Sequence, residues 1–176
     1  TGHRRLGRLH VRVKAGQQRW IPVLLAVISL AASNSDTRLV DAARKGDGAA
    51  VLALLKQNVD VNAPQGDGAT ALHWAVHRSD LETTDALIEA GANVNAANDL
   101  GVTPLWLACL NGDAAVADRL LRAGASANVV LPSGETALMT ASRTGNADVV
   151  KLLLGHRADV NAKEKSQGQT ALMWAV

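Results

Sequence analysis

The chain repeats itself every 33 residues. Threonines recur at this interval, with 34 residues before the last, at Thr37, Thr70, Thr103, Thr136 and Thr170. Asparagines follow the same interval at Asn62, Asn95, Asn128 and Asn161. A period of about 20 to 50 residues is typical of proteins that stack similar small units in a row. The period therefore predicts one stacked-repeat domain.

The repeated unit is clearest in residues 98–129, NDLGVTPLWLACLNGDAAVADRLLRAGASANV. Thr103 can cap a helix that begins at Pro104, where a missing N–H removes no hydrogen bond. Asn111-Gly112-Asp113 separates this helix from a second one, and Gly124 ends the second. Apolar residues at three- and four-residue spacing give each helix one apolar face. Helices this short cannot bury such a face alone, so they must pack on neighbouring copies.

The repeats resemble those of the ankyrin family in three segments: GVTPLWLA from Gly101, GATALHWA from Gly68 and GANVNA from Gly91. The resemblance covers Asp36 to Val176. It implies an all-α solenoid of stacked helix-turn-helix units with hairpin-like β-turn tips. We expect helix pairs at about residues 42–56, 70–90, 103–123 and 136–156, with little true strand.

The predicted ankyrin repeat domain spans residues 34–176, with repeats at about 37–63, 64–96, 97–129, 130–162 and a partial repeat at 163–176. The first repeat has no preceding G-x-T turn and is expected to cap the stack.

Asn58 and Arg157 take the place of glycine at the end of the second helix, which predicts about 1 kcal/mol of strain at Arg157. Residues 163–168 hold one extra residue, which predicts a longer tip. The partial repeat favours a fragment of a longer gene product.

Residues 1–33 carry six basic residues and no acid, followed by an apolar run and small residues. This order is typical of a secretory signal peptide, and the run is shorter than the roughly 20 apolar residues of a membrane span. Two alternatives stay open: an uncleaved signal anchor, or upstream sequence fused to a shorter leader. We expect an exported bacterial protein that is periplasmic or secreted, or else membrane-anchored by this segment.

The charge of the chain depends on the leader. The whole sequence has a net charge of +2, but residues 34–176 hold 12 Lys and Arg against 16 Asp and Glu, or −4. The basic character therefore belongs to the leader and gives no support for nucleic-acid binding.

No motif in the sequence favours catalysis or a cofactor. His73 and His77 lie four residues apart, a spacing that can bind a metal. However, the ankyrin resemblance implies that His73 hydrogen-bonds within the turn and first helix. Cys109 is expected to be a core residue. We expect no catalytic residue, cofactor or metal; the alternative is a docking or regulatory arm for a catalytic domain beyond Val176.

The resemblance implies that the tips and the ends of the first helices bind a protein partner. Carried over by position, the candidate partner-binding residues are Arg44, Lys45, Asp67, Trp74, His77, Arg78, Asp99, Leu100, Leu110, Asn111, Arg143 and Thr144. Several are basic although the domain is acidic, which favours an acidic partner surface. Trp74 and Leu110 are candidate apolar anchors. Packing of Trp74, Trp106 and Trp174 between first helices is the simpler interpretation of the tryptophans.

We predict that the leader is removed in the mature protein. Intact-mass measurement on exported protein should place the N-terminus near Ser33, because the small residues that suit cleavage lie there. Recovery of a species in the membrane fraction that still carries residues 4–32 would contradict cleavage and favour the anchor.

Overall fold

A computed structural model describes residues 36–175. The predicted leader lies outside the described residues and stays a prediction. Nine helices form within the described range, and eight of them make four successive pairs. They are α1 Arg38–Lys45, α2 Gly48–Leu55, α3 Ala71–His77, α4 Leu81–Glu89, α5 Pro104–Asn111, α6 Ala114–Arg122, α7 Ala137–Thr144, α8 Ala147–Gly155 and α9 Ala171–Trp174.

The helix pairs stack in one row. The first helix of each pair, α1, α3, α5, α7 and then α9, packs on the next first helix, and the second helices form a parallel row beside them. Over residues 36–175 the only strand-like pairing is one isolated bridge between Val130 and Thr136. The all-α solenoid is therefore confirmed.

Three of the four predicted helix pairs are confirmed to within two residues at their outer ends. The first prediction was wrong, because helix α1 begins at Arg38 rather than at residue 42. Leu39 and Val40 in its first turn are almost fully buried. The first repeat has no G-x-T turn to mark this start, so the signal for a helix N-terminus is weaker there.

Side-chain caps mark the start of most of the helices. The Thr103 hydroxyl accepts the Trp106 N–H, and Pro104 is the first residue of α5, as predicted. The second helices are capped by Asp47, Asp80, Asp113 and Asn146, whose side chains each accept a backbone N–H three residues later. Caps of this kind contribute about 1 kcal/mol each. They fix where each helix starts relative to its neighbours.

The core is a continuous apolar seam between the two rows of helices. Its largest fully buried side chains include Leu72, Leu87, Leu105, Leu120, Met139 and Leu153. Burial of each such side chain contributes about 1.5–3 kcal/mol. Cys109 is fully buried in the same seam, and burial raises the pKa of its thiol to about 12. Its prediction as a core residue is confirmed.

A row of asparagines joins each repeat to the next. The Asn95 amide donates to the Gly124 carbonyl at 3.0 Å, and its carbonyl oxygen accepts the Ser126 N–H at 2.8 Å. Asn62 and Asn128 make the same two bonds one repeat earlier and one repeat later. These three asparagines are therefore cross-links between repeats. Each such bond contributes about 0.5–1.5 kcal/mol net.

Three non-glycine residues have left-handed backbone conformations. Asn58 and Arg157, with φ of 54° and 61°, occupy the predicted positions at the ends of the second helices. Ser79, with φ of 54°, was not anticipated. It occupies the position that Gly46, Gly112 and Gly145 hold after the first helix of the other repeats.

The longer tip of the fifth repeat is closed by the Glu164 carboxylate. This carboxylate accepts hydrogen bonds from the backbone N–H groups of Ser166, Gln167 and Gln169, and from the Ser166 hydroxyl. The bond from Gln169 is the largest influence that lowers the pKa of Glu164 to about 2. The extra residue is thus accommodated by a carboxylate at the centre of the turn.

We predict that Arg157→Gly raises the free energy of unfolding by about 1 kcal/mol, because glycine adopts the left-handed conformation without a Cβ penalty. The bond from Asn128 to the Arg157 carbonyl involves the backbone and survives the change. Urea denaturation followed by circular dichroism measures the difference.

Gly124→Ala is the matched control for Arg157→Gly. Gly124 has φ of 93°, and no atom lies within 4 Å of the position a Cβ would take. Its loss of stability, expected at about 1–2 kcal/mol, therefore reports backbone strain rather than a steric clash. A lower stability of the Arg157→Gly protein would contradict the strain assignment.

Candidate functional site

The predicted partner-binding residues fall on what we call the inner face, formed by the exposed sides of α1, α3, α5 and α7 and by the tips at residues 64–69, 97–102 and 130–135. Nine lie on or directly after first helices and three lie on tips. The first group is Arg44, Lys45, Trp74, His77, Arg78, Leu110, Asn111, Arg143 and Thr144, and the second is Asp67, Asp99 and Leu100. Their contact with a partner stays a prediction.

Two of the basic helix-end residues already have partners within the protein. The Arg44 guanidinium lies 2.8 Å from the Asp41 carboxylate. The Arg143 guanidinium lies 3.4 Å from the Glu135 carboxylate, and its central carbon lies 5.4 Å from the centre of the Trp174 ring. Both arginine side chains are about half exposed, so the two ion pairs contribute little to stability.

Lys45 and Arg78 form no salt bridge with any described residue at the 4 Å limit of an ion pair. Both are exposed. The Arg78 guanidinium extends toward the preceding repeat, where its Nε lies 2.6 Å from the position that a Cβ of Gly46 would take. Arg78 thus lies beside the end of α1. Lys45 instead lines a cleft between α1 and α2, together with Asp41 and Asp47.

Two other helix-end residues use their polar groups inside the fold. The Asn111 amide donates to the carbonyls of Val76 and His77, both at 3.1 Å, and so caps the end of α3 from the next repeat. The Thr144 hydroxyl donates to the Ala141 carbonyl at 2.9 Å. The sequence pattern did not indicate these structural roles, which leave both side chains less able to hydrogen-bond a partner.

Hydrogen bonds from backbone N–H groups hold the tip residues in place. The Asp67 carboxylate accepts the Ala69 N–H at 2.9 Å, and this bond is the main reason that the pKa of Asp67 is lowered. The Asp67 carbonyl accepts the Asp99 N–H from the next tip at 2.9 Å. Leu100, the next residue on that tip, is 71% exposed. The tips therefore form a row with carboxylates at neighbouring positions.

A cleft of about 180 Å³ opens between the second and third repeats. It is lined by Asp67, Ala69, His73, Trp74, His77, Asn98, Val102 and Leu107. The Trp74 indole N–H donates to the Gln65 side chain at 3.1 Å, and the ring meets His77 edge to face with centres 5.8 Å apart. These contacts fix the aromatic side of the cleft.

Asp67, Trp74 and His77 were predicted from the sequence. Asn98 and Leu107, which also line the cleft, and Gln65, which holds Trp74, were not. A signal for Leu107 was present, because it occupies the repeat position of Trp74. The packing interpretation of the tryptophans is also supported: Trp74, Trp106 and Trp174 are partly buried and pack against the core. Trp74 therefore packs against the core and also lines the cleft.

His73 hydrogen-bonds through both ring nitrogens. Nδ1 accepts the Thr70 N–H at 3.1 Å and also lies 3.0 Å from the Thr70 hydroxyl, whereas Nε2 lies 3.1 Å from the Val102 carbonyl. Because Nδ1 accepts and Nε2 donates, the ring is neutral. Burial lowers the pKa of His73 in agreement with this. The hydrogen-bonding role predicted for His73 is confirmed.

The repeat geometry agrees with a comparison against known protein families. A family model described as ankyrin repeats (3 copies) matches residues 39–130 and 105–176. The chain belongs to the ankyrin repeat family. Ankyrin repeats are general protein–protein interaction modules and are typically non-catalytic.

Comparison with curated proteins finds no match. Residues 36–175 contain no helix that is both long and apolar enough to cross a membrane. The same residues contain no group of three or more histidine, cysteine or acidic side chains arranged to bind a metal ion.

We predict that His73 makes ankyrin-domain stability depend on pH. Histidine in an unfolded chain titrates near pH 6.5, and the pKa of His73 is lower in the fold. As pH falls below about 6.5 the unfolded state binds more protons, so the free energy of unfolding decreases. Denaturant titrations between pH 7.5 and pH 5 should show this decrease.

His73→Met is the informative variant, since Met139 fills the same position in the fourth repeat and is fully buried there. The variant should be less stable at pH 7.5, because it lacks the bonds to Thr70 and Val102, and should vary less with pH. Asp67 and Glu164 have lowered carboxyl pKa values, so their protonation changes the free energy of unfolding only at more acidic pH. Equal slopes for both proteins between pH 7.5 and pH 5 would contradict the assignment.

Proposed function

We propose that this protein is an exported adaptor or scaffold that binds the acidic surface of another protein through its inner face. The observation that carries the proposal is a set of solvent-accessible apolar side chains at the middle of this face, next to cationic helix ends. Ankyrin repeats generally bind proteins, and this set of side chains supports the inner face as the place of contact.

The apolar part of the inner face comes from two consecutive repeats. Trp74 and Leu107 are partly exposed at equivalent positions, and Leu110 is 40% exposed one turn after Leu107. Leu100 adds an exposed apolar side chain on a tip of the inner face. Large apolar and aromatic side chains near the centre of an interface contribute most of the binding energy, whereas surrounding polar contacts exclude water. Trp74 and Leu110 are therefore the proposed anchors.

The cationic part comes from the helix ends. Helix C-termini favour cations by about 0.3–1 kcal/mol through the helix dipole, which accounts for some of this placement. Arg44 and Arg143 are also partly neutralised by Asp41 and Glu135. Lys45 and Arg78 are exposed at equivalent positions of adjacent repeats and form no ion pair with a described residue. They supply the main attraction for an acidic partner.

Export is supported by the order of basic, apolar and small residues in residues 1–33. It would place the net-negative repeat domain in the periplasm or outside the cell. Intact-mass analysis of the exported protein, described above, tests this part of the proposal independently of partner binding.

We predict that charge reversal by Lys45→Glu and Arg78→Glu weakens binding of a captured partner at least tenfold. The experiment captures partners from a periplasmic or secreted fraction on the immobilised domain, identifies one, and measures its affinity at two salt concentrations. Binding to the unmodified domain should weaken with salt, because the interaction is between exposed charges.

The control reverses Lys56 and Arg122, which also lie at helix C-terminal ends but on the second helices. Arg122 additionally loses its ion pair with Asp118, so the control is the more demanding test of folding. This control loses a comparable helix-dipole contribution and should bind the partner normally. If the inner-face variant is folded by circular dichroism and binds with unchanged affinity, the acidic-partner proposal is wrong.

A further inference from the structure

The cleft between the second and third repeats has features that the attraction of an acidic partner does not explain. Its walls are apolar and aromatic, made by Ala69, Trp74, Val102 and Leu107, but a carboxylate lies at its edge. Its volume of about 180 Å³ equals that of roughly six waters at about 30 Å³ each, so it can accept the end of one side chain.

The carboxylate at the edge is Asp67. Its acceptor bond from the Ala69 N–H fixes its orientation, and the lowered pKa of Asp67 keeps it ionised at neutral pH. Asp67 forms no salt bridge with any described residue, and neither does Asp99 on the next tip. Arg78 is the inner-face arginine closest to Asp67 in the sequence, and its side chain extends toward Gly46 in the preceding repeat.

The other lining groups are neutral or aromatic. His73 is a neutral imidazole because its Nδ1 accepts a backbone N–H. Trp74 is held by Gln65 and by its edge-to-face contact with His77. An indole ring attracts a cation placed over its face within about 6 Å of its centre. A carboxylate and an indole on the same cleft are both suited to one positive charge.

We propose that this cleft binds one cationic side chain, an arginine or a lysine, of the protein partner. The inference rests on the proposed protein-binding function and deepens it. The aliphatic stem of such a side chain would pack on Val102 and Leu107, while its charged end meets Asp67 and Trp74. An apolar side chain would displace water from the Asp67 carboxylate without offering a hydrogen bond in return.

The partner would therefore present separated charges. Its acidic residues face Lys45 and Arg78 at the helix ends, and one basic side chain enters the cleft on the side of the tips. Opposite charges at fixed places on the two surfaces would set the direction in which the partner lies across the repeats.

The test uses the ¹⁵N-labelled 176-residue protein and N-acetyl-arginine amide as the probe, followed by NMR at pH 8, above the range in which histidine usually gains its proton. The Trp74 indole signal is assigned with Trp74→Phe. The arginine probe should shift this signal and those of Asp67 and Val102 with saturable, millimolar affinity that weakens with added salt. N-acetyl-norleucine amide, which has a similar stem and no charge, should bind at least fivefold more weakly.

Asp67→Asn should reduce affinity for the arginine probe at least fivefold, because it removes the charge but keeps an oxygen for the Ala69 N–H. Asp60→Asn is the matched control: Asp60 accepts the Asn62 N–H at 2.9 Å in the same two-residue pattern, away from the cleft. It should bind the probe like the unmodified protein. Equal binding of both probes, an absence of saturable shifts, or equal effects of the two Asn variants would overturn the proposal.

These outcomes are independent of the captured-partner experiment, since the probe requires no partner. A failed probe titration with a successful charge reversal at Lys45 and Arg78 would reject the cationic subsite and leave the adaptor function standing. The opposite pair of results would retain the subsite and reject the acidic-partner assignment.

Discussion

The solenoid depends on hydrogen bonds that pass from one repeat to the next. Short helix pairs have no independent core, and each repeat must hold its neighbour at a fixed distance and rotation. The Asn62, Asn95 and Asn128 side chains do this with two bonds each, to a carbonyl 29 residues later and an N–H 31 residues later. Since both acceptor and donor belong to the backbone, the spacing is maintained whatever side chains the inner face carries.

Much of this fold could be predicted because the repeat carries several agreeing signals. The Thr103–Pro104 start, the break at Gly112 and the asparagine period are local features, and each has one structural consequence. The start of α1 at Arg38 was missed because its repeat lacks the preceding turn. Ser79 was missed because nothing in a single serine indicates a left-handed backbone; only alignment with Gly46, Gly112 and Gly145 reveals the requirement.

The site was less predictable than the fold, for a physical reason. Sequence position placed Asp67, Trp74 and His77 on one face, but contacts between repeats decide which groups remain accessible. Asn111 looks like an available amide in the sequence, yet its amide bonds the end of α3. Arg143 looks like an available cation, yet it lies beside Glu135 and Trp174. Such pairings join residues of different elements and repeats, and no local pattern encodes them.

The buried thiol of Cys109 can report transient opening of the repeat stack. It is the single cysteine of the chain, and it is fully buried at the centre of the stack with a thiol pKa of about 12. The thiolate is the nucleophile that attacks a thiol reagent, so this sulfur reacts only when the packing around the third repeat loosens. The rate at which Cys109 is labelled in native buffer therefore measures how often the middle of the solenoid opens, and no introduced cysteine is needed.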